Sequence, residues 1–247
     1  MYTWAAGRVN VPRVTVGSVL EQSLALYQRF FWRFALTTAV VMVVLDLISA
    51  LAATSGSTGG AALWGLLSVV LGLIGTFWVQ GALTFAVDDV RDGRIDTTIG
   101  DLYRRTQPFL GALIVAGVLA ALGIGLGLIL FIAPGLYLLA RWALIVPAIV
   151  LEKKSAGEAF ARSTELTEGH RWTVLGVAVV VIIASIVVGG IARAILSLVL
   201  PTFLDAWLGS LVAQCITTPL IALAFTVMYF QLKTAQDTEP EPAPAAA

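Results

Sequence analysis

The stretch PGLYLLARWALIVPAIVLEKK, residues 134–154, combines a long apolar run with an arginine, Arg141, near its middle. Pro134 and Gly135 mark a turn at the start of this run, and Glu152 begins the charged residues that follow it. The run is long enough to cross the hydrocarbon core of a bilayer, which takes about 20 residues in a helix. Because a charge inside a bilayer is costly, Arg141 is predicted to have a specific partner or a function.

The composition of the whole chain assigns it to the membrane class. Of its 247 residues, 59% are hydrophobic and 12% are charged, whereas soluble domains are about 45–50% apolar and about 25% charged. A soluble domain of this length could not bury so much apolar surface. The formal net charge is zero, so the chain has no global positive field that would attract nucleic acid.

Long apolar runs predict six transmembrane helices. They cover residues 33–53, 61–87, 109–130, 132–151, 172–197 and 207–232. Only the sequence FIAPG separates spans three and four, which predicts a tight helical hairpin. A re-entrant unit is the alternative. Small residues at regular spacing predict a close packing face on span three, formed by Ala112, Ala116, Ala120, Gly123 and Gly127.

The basic residues predict the orientation of the spans. All but two of the 15 Lys and Arg residues lie before or at the first residue of span one, between spans two and three, between spans four and five, or after span six. The two exceptions, Arg141 and Arg193, lie inside spans. By the positive-inside rule, both termini and the long loops face the cytoplasm. Because lysine is rare and Ala, Val, Leu and Gly abound, we expect a multi-pass protein of a bacterial cytoplasmic membrane.

Three segments that precede the odd-numbered spans resemble one another. Each opens with Ser or Thr, one further residue and Gly, beginning at Thr15, Thr98 and Ser155. Asp101 and Glu158 complete helix capping patterns in the second and third segments. Apolar residues then recur at helical spacing, which predicts short helices at the cytoplasmic interface. These predicted helices cover residues 16–30, 98–107 and 155–168.

The predicted fold is an all-α polytopic membrane protein with six transmembrane helices and three interfacial helices. One interfacial helix followed by two spans, repeated along the chain, predicts a threefold internal repeat. Alternatively, the three segments are similar without being repeats, because any loop that enters a membrane helix tends to have a helix cap and basic residues. We predict an N-terminal cytoplasmic segment with an amphipathic helix (1–32), a transmembrane domain (33–232) and a disordered cytoplasmic tail (233–247).

The inventory of reactive residues predicts no enzyme, no metal site and no cofactor. The chain has one histidine, His170, and one cysteine, Cys215, which cannot form a zinc site or a Cys–His pair with credible spacing. Four aspartates within residues 88–96 could bind a divalent cation. They are interleaved with arginines, which favours a solvated loop of mixed charge.

Few ionisable residues lie inside the predicted spans. Asp46 and Arg141 are the deepest, and Gln80 and Gln214 are further candidates for a buried polar set. Asp46 and Arg141 stand at similar distances from the cytoplasmic ends of spans one and four, so we predict that they form an ion pair. Alternatively, Arg141 extends to the interface and Asp46 is protonated or bonded to a backbone carbonyl.

Residues 134–176 resemble a family of uncharacterised bacterial multi-pass proteins grouped with the membrane domain of glycerophosphoryl diester phosphodiesterases. The positions that carry this resemblance are Pro134, Gly135, Tyr137, Arg141, Pro147, Glu152, Arg162, Ser163 and Gly169. The resemblance implies a six-helix membrane domain. The catalytic domain of those phosphodiesterases is a separate soluble barrel that uses His and acidic residues, so their activity is not carried over to this chain.

These observations favour a non-enzymatic membrane domain that acts through its cytoplasmic face. The expected partners are the lipid bilayer, including anionic lipids, or a protein on the cytoplasmic side, and not nucleic acid. A small-solute or lipid transporter is the alternative, because Pro147 and Pro219 could break spans four and six. A polar cavity across the midplane would favour transport, whereas a dry core packed with small residues would favour the first function.

Overall fold

The computed structural model describes residues 14–54, 58–91 and 95–238. Within these ranges the chain is helical and contains no β-strand. Six helical stretches are long and apolar enough to cross a membrane, as the sequence predicts. They are Val16–Leu51, Trp64–Val90, Ile99–Leu130, Ile132–Glu152, Arg171–Ser197 and Trp207–Thr238.

The described part of the chain forms ten α-helices. Their bounds are α1 Val16–Thr54, α2 Thr58–Val90, α3 Ile99–Thr106, α4 Leu110–Leu130, α5 Ile132–Trp142, α6 Ile145–Glu152, α7 Ala156–Leu166, α8 Arg171–Ser197, α9 Thr202–Leu204 and α10 Ser210–Thr238. A 3₁₀ turn at Gln107–Phe109 joins α3 to α4, and a π-helical turn at Asp205–Gly209 joins α9 to α10. Two of the predicted spans therefore continue directly from shorter helices.

The first predicted interfacial helix, residues 16–30, meets span one at a kink within α1. Two helices join there at Phe30, whose backbone angles (φ −118°, ψ 23°) are non-helical. The helix boundaries correct one predicted segment. The predicted tail at 233–247 is helical as far as Thr238. Lys233 and Gln236 make contacts there that the composition of the tail does not indicate. The rest of the predicted tail and residues 1–13 of the N-terminal segment lie outside the described residues.

Span four is divided into two helices, a break that the sequence raises as a possibility through Pro147. α5 ends at Trp142 and α6 begins at Ile145. Pro147 accounts for this break, because it lacks the backbone N–H that would bond to the carbonyl of Ala143 and its ring would clash with that carbonyl. α6 ends where Lys153 adopts left-handed backbone angles (φ 55°, ψ 38°), and the chain turns there into α7.

The predicted hairpin of spans three and four is present, with its small residues at the contact. Gly127 of α4 lies opposite Gly135 of α5, and Gly123 lies opposite Trp142, so the two helices run antiparallel. A Cβ atom on Gly127 would lie 2.8 Å from the Cα atom of Gly135. Glycine at both positions therefore allows the two backbones to touch.

The core is concentrated toward one end of the bundle. α2 and α6 both finish at this end, where Arg91 lies over the ring of Phe230 and Glu152 accepts a hydrogen bond from Tyr229. We call it the charged end. In α2, α8 and α10 the buried residues lie mainly in the half nearer this end.

Large apolar side chains are exposed over the other half of the bundle and at the tip formed by α4 and α5. Examples are Leu66, Val69, Ile183, Ile186 and Ile191 in that half, and Leu126, Ile129 and Phe131 at the tip. In water such a surface would drive aggregation. Its extent agrees with six helices that face lipid.

Both predicted capping patterns are confirmed. The Thr98 hydroxyl accepts a hydrogen bond from the backbone N–H of Asp101 at the start of α3. Ser155 and Glu158 form a reciprocal capping box at the start of α7. The hydrogen bonds from Ser155 hold the pKa of the Glu158 carboxyl below its ordinary value. The placement of these helices at a membrane surface and the threefold repeat stay predictions.

Candidate functional site at the charged end

A polar cluster around Glu152 ties three helices together at the charged end. Arg162 Nε of α7 donates to both carboxylate oxygens of Glu152, at 3.1 and 2.9 Å. Tyr229 of α10 donates its hydroxyl to Glu152 at 2.8 Å, and Lys233 Nζ lies 3.5 Å from the same carboxylate. We call Glu152, Arg162, Tyr229 and Lys233 the Glu152 cluster. It holds the ends of α6 and α10 against α7.

Local structure positions the members of this cluster. The left-handed residue Lys153 and the Ser155 capping box reverse the chain, so that Arg162 on α7 faces back toward Glu152. Tyr229 and Lys233 are four residues apart on α10 and therefore share a helix face. Only 11% of the Glu152 side chain and 19% of the Arg162 side chain are exposed. With so little water present, their charges are neutralised mainly by each other and by Lys233.

Gln236 extends the cluster to the C-terminal end of α10. Arg162 Nη1 donates to the Gln236 side chain at 3.3 Å, and Gln236 Nε2 donates to the backbone carbonyl of Glu165 at 3.2 Å. Arg162 also pairs with Glu165 at 2.9 Å. The Gln236 side chain thus fixes the last turns of α10 to α7, because it accepts a hydrogen bond from one residue of α7 and donates one to another.

A second ion pair closes the charged end on its other side. Arg33 Nη2 of α1 lies 2.5 Å from Asp89 Oδ2 of α2 and donates to the carbonyl of Thr97 at 2.7 Å. The Thr97 hydroxyl and backbone N–H both donate to Asp89. This arrangement closes the connection between α2 and α3.

The acidic segment that could have bound a divalent cation is organised by this ion pair. Asp89 points inward to Arg33, whereas Asp88 lies 3.8 Å from Arg91 at the surface. Asp92 is outside the described residues. The part of the chain that the structure describes holds no group of three or more His, Cys, Asp or Glu residues suited to a metal ion. Cys215 is a free, half-buried thiol.

Ser163 fills the break in span four. Its hydroxyl donates to the carbonyl of Arg141 at 2.8 Å and accepts from the backbone N–H of Leu144 at 3.1 Å. The side chain of Arg141 donates from Nε to Thr164 Oγ1 at 2.8 Å. α7 therefore supplies the hydrogen bonds that the interrupted helix lacks.

The predicted ion pair between Asp46 and Arg141 is wrong. Asp46 accepts hydrogen bonds from Gln214 Nε2 of α10, at 2.9 and 3.0 Å, and Arg141 is bonded to Thr164 of α7. Similar depth along two helices does not make them neighbours. α1 packs mainly against α10 and α2, whereas α5 packs mainly against α4 and α8.

The other positions of the family motif have structural roles that can be stated individually. Gly135 permits the close contact with α4, and Pro147 accounts for the break in span four. Gly169 lies in the turn between α7 and α8 with φ +75°, a conformation that favours glycine. Pro134 lies in the first turn of α5, and Tyr137 is exposed farther along that helix.

Sequence reasoning missed four residues of these clusters: Thr164, Tyr229, Lys233 and Gln236. Tyr229 lies within predicted span six, and Lys233 and Gln236 lie within the predicted tail. Tyr229, Lys233 and Gln236 are three to four residues apart, which is the spacing of one helix face. This spacing is the one signal in the sequence that could have grouped them. Their contact with residues 152–165 crosses a long stretch of chain and cannot be inferred from spacing.

Substituting Ser163 with alanine is expected to lower the free energy of unfolding by about 1–3 kcal/mol. Ser163 is fully buried, and its loss leaves the N–H of Leu144 without the bond it makes now. Unfolding with a denaturing detergent, followed by circular dichroism, measures this cost. Ser197→Ala is the matched control, because Ser197 is exposed and bonds only within α8. Equal stability of the two variants would contradict the role of Ser163.

These features define an integral membrane domain with several apolar helices, closed at one end by ion pairs. Residues 114–236, about half of the chain, match the family model for the membrane domain of glycerophosphoryl diester phosphodiesterase. The resemblance noted in the sequence is confirmed, and this chain is related to that membrane-domain family. Comparison with curated proteins and with solved structures gave no match.

Proposed function

We propose that this protein is a non-enzymatic membrane domain whose charged end contacts anionic lipid or a partner protein. One observation carries the proposal. Asp89 and Glu152 are neutralised inside the charged end, and Arg29, Arg104, Arg105 and Lys153 are exposed on its surface, where acids such as Asp96, Glu158 and Glu168 are exposed as well. Exposed cations near a bilayer are attracted to anionic lipid by about 1 kcal/mol each.

The non-enzymatic assignment is supported by how Glu152 is used. Its oxygens accept from Arg162 and Tyr229 and face Lys233. A general base must instead direct an acceptor toward a substrate proton. The arrangement of Glu152 therefore favours a role in holding α6, α7 and α10 together. The matched family is itself a membrane domain rather than a catalytic one.

The alternative, a small-solute or lipid transporter, is favoured by a polar group in the apolar half of the bundle. Asp46 and Gln214 are hydrogen-bonded between α1 and α10, and Arg193 lies 3.9 Å from Asp205 beside the π-helical turn. π-helical turns are frequent at functional sites, and polar groups within spans mark transport paths. Uptake by proteoliposomes that is lost in Asp46→Asn would favour this alternative.

Hydrogen exchange of α3 tests the contact with anionic lipid. We expect the backbone N–H groups of Ile99–Thr106 to exchange more slowly in nanodiscs that contain anionic lipid than in purely zwitterionic ones. The double variant Arg104→Gln, Arg105→Gln is expected to abolish this difference, and high salt to weaken it. Arg193→Gln, which removes a cation from the opposite end, should preserve it. Equal hydrogen exchange of α3 in the two kinds of nanodisc would contradict contact with anionic lipid. A partner protein would then be the remaining candidate for the charged end.

The orientation of the charged end toward the cytoplasm belongs to this proposal. It is supported by the distribution of the basic residues, all but two of which lie outside the predicted spans, or at the first residue of span one, on one side. We propose that this membrane is a bacterial cytoplasmic membrane, because lysine is rare in the chain and Ala, Val, Leu and Gly are abundant.

A further inference from the structure

A groove of about 680 Å³ runs between α5 and α8 and is not used by either ion-pair cluster. Its size falls in the range of about 300–1,000 Å³ that is common for ligand sites. The lining residues are mostly apolar: Ala133, Pro134, Leu136, Tyr137, Ala140, Arg171, Trp172 and Leu175. Two of them, Pro134 and Tyr137, belong to the family motif and are not needed for the core of the bundle.

Arg171 is the one charged residue among those lining residues. Its guanidinium lies over the ring of Tyr137, with Cζ 5.3 Å from the ring centre. Its Nε atom is buried and makes no hydrogen bond to the described residues. The same part of the chain supplies no carboxylate within ion-pair distance of Arg171. The Nη atoms are not among the buried atoms and also make no hydrogen bond to the described residues, so this end of the guanidinium is left to pair with an anion from outside the chain.

Two further features favour a lipid anion at the same point. Arg171 is the first residue of α8, a helix of 27 residues, and His170 at its N-cap makes no side-chain capping bond. The N-terminus of a helix favours negative charge, because its first N–H groups are free and its dipole is positive there. Trp172, next to Arg171, is 86% exposed, as is typical of an aromatic residue at a lipid interface.

We propose that this groove binds one anionic phospholipid, with its phosphate at Arg171 and an acyl chain along the apolar wall formed by α5 and Leu175. The cation fits the headgroup, and the apolar wall fits the chain that must accompany it. This inference rests on the proposed contact of the protein with anionic lipid and adds a single defined site to it. The site lies between α5 and α8 and does not involve the exposed arginines of α3.

Native mass spectrometry of the full chain tests the site directly. The protein is released from detergent with equal amounts of phosphatidylglycerol and phosphatidylcholine of the same acyl chains. We expect one phosphatidylglycerol to be retained in preference to phosphatidylcholine. Arg171→Gln is expected to lower phosphatidylglycerol binding by about tenfold, because charge-assisted hydrogen bonds to phosphate are lost. Arg171→Lys should retain part of the preference, because the charge is kept.

Two control variants separate the site from general effects of charge and folding. Arg104→Gln makes the same charge change on α3 and should leave binding unchanged, since Arg104 is 79% exposed and outside the groove. Ala133→Trp fills the apolar wall at an exposed position and should lower retention of both lipids without changing the charge. A thermal melt of each variant shows whether it folds. If Arg171→Gln does not fold, lipid retention by Ala133→Trp tests the site instead.

Several results would overturn the proposal. They are equal retention of the two lipids, an unchanged preference in Arg171→Gln, or a dimer that is lost in Ala133→Trp, which would assign the groove to a second copy of the chain. Hydrogen exchange of α3 is expected to be the same in Arg171→Gln as in the parent. The proposed lipid site in the groove and the proposed lipid contact of α3 can therefore be refuted independently.

Discussion

Replacing Glu152 with leucine is expected to lower the free energy of unfolding by about 3–5 kcal/mol. The substitution removes the carboxylate that faces Arg162 and Lys233, so the largely buried Arg162 keeps only the exposed Glu165 as an ion-pair partner among the described residues and Lys233 loses its ion pair. The Tyr229 hydroxyl also loses its acceptor. Denaturation in mixed micelles, followed by circular dichroism, measures the change.

A double-mutant cycle distinguishes this ion pair from general damage to packing. Arg162→Leu alone should also destabilise the protein, and the double variant Glu152→Leu, Arg162→Leu should recover part of the loss. Asp101→Asn is the surface control. It breaks the pair of Asp101 with Arg104, whose side chains are 39% and 79% exposed, and should cost less than about 1 kcal/mol. If Glu152→Leu costs no more than this control, the Glu152 cluster does not stabilise the fold.

Replacing Gly127 with leucine is expected to separate α4 from α5 and to cost about 3 kcal/mol. Its Cβ would lie 2.8 Å from the Cα atom and 2.9 Å from the backbone nitrogen of Gly135. Backbone atoms cannot rotate away as a side chain can, so the helices must move apart. A lower denaturation midpoint and faster proteolysis near the turn at Phe131 would report this movement.

Gly125→Leu is the matched control for that variant. Gly125 is two residues away on the same helix, and a Cβ there would meet nothing within 4 Å. Because glycine is a poor helix former, the control is expected to be neutral or to stabilise the protein by up to about 1 kcal/mol. Equal destabilisation by both substitutions would show that the contact between α4 and α5 does not limit stability.

Features set by local sequence were predicted well. Apolar run length predicts the six candidate spans, and the short FIAPG connection predicts the hairpin. The turn itself is misplaced, because the chain reverses at Phe131, and Pro134 and Gly135 lie inside α5. The capping pairs of α3 and α7 depend on residues three apart, so they too can be read from the chain. In each case the physical cause lies within a few residues.

Features set by the arrangement of the helices were not predicted. The depths of Asp46 and Arg141 could be estimated from helix rise, but depth does not specify which helices are neighbours. Gln214 was recognised as a buried candidate without its partner. The break in span four could be suspected from Pro147, whereas its repair by Ser163 depends on how α7 folds back.

The uneven core implies a gradient of local stability along the helices. Near the charged end, buried contacts and ion pairs oppose any separation of the helices. In the other half, α2 and α8 expose most of their large apolar side chains outward, so fewer protein contacts resist their separation. Local openings should therefore begin in that half, and the surrounding lipid rather than the protein supplies much of the restraint there. A bilayer of different thickness would act first on this loosely packed half and leave the charged end as a rigid base.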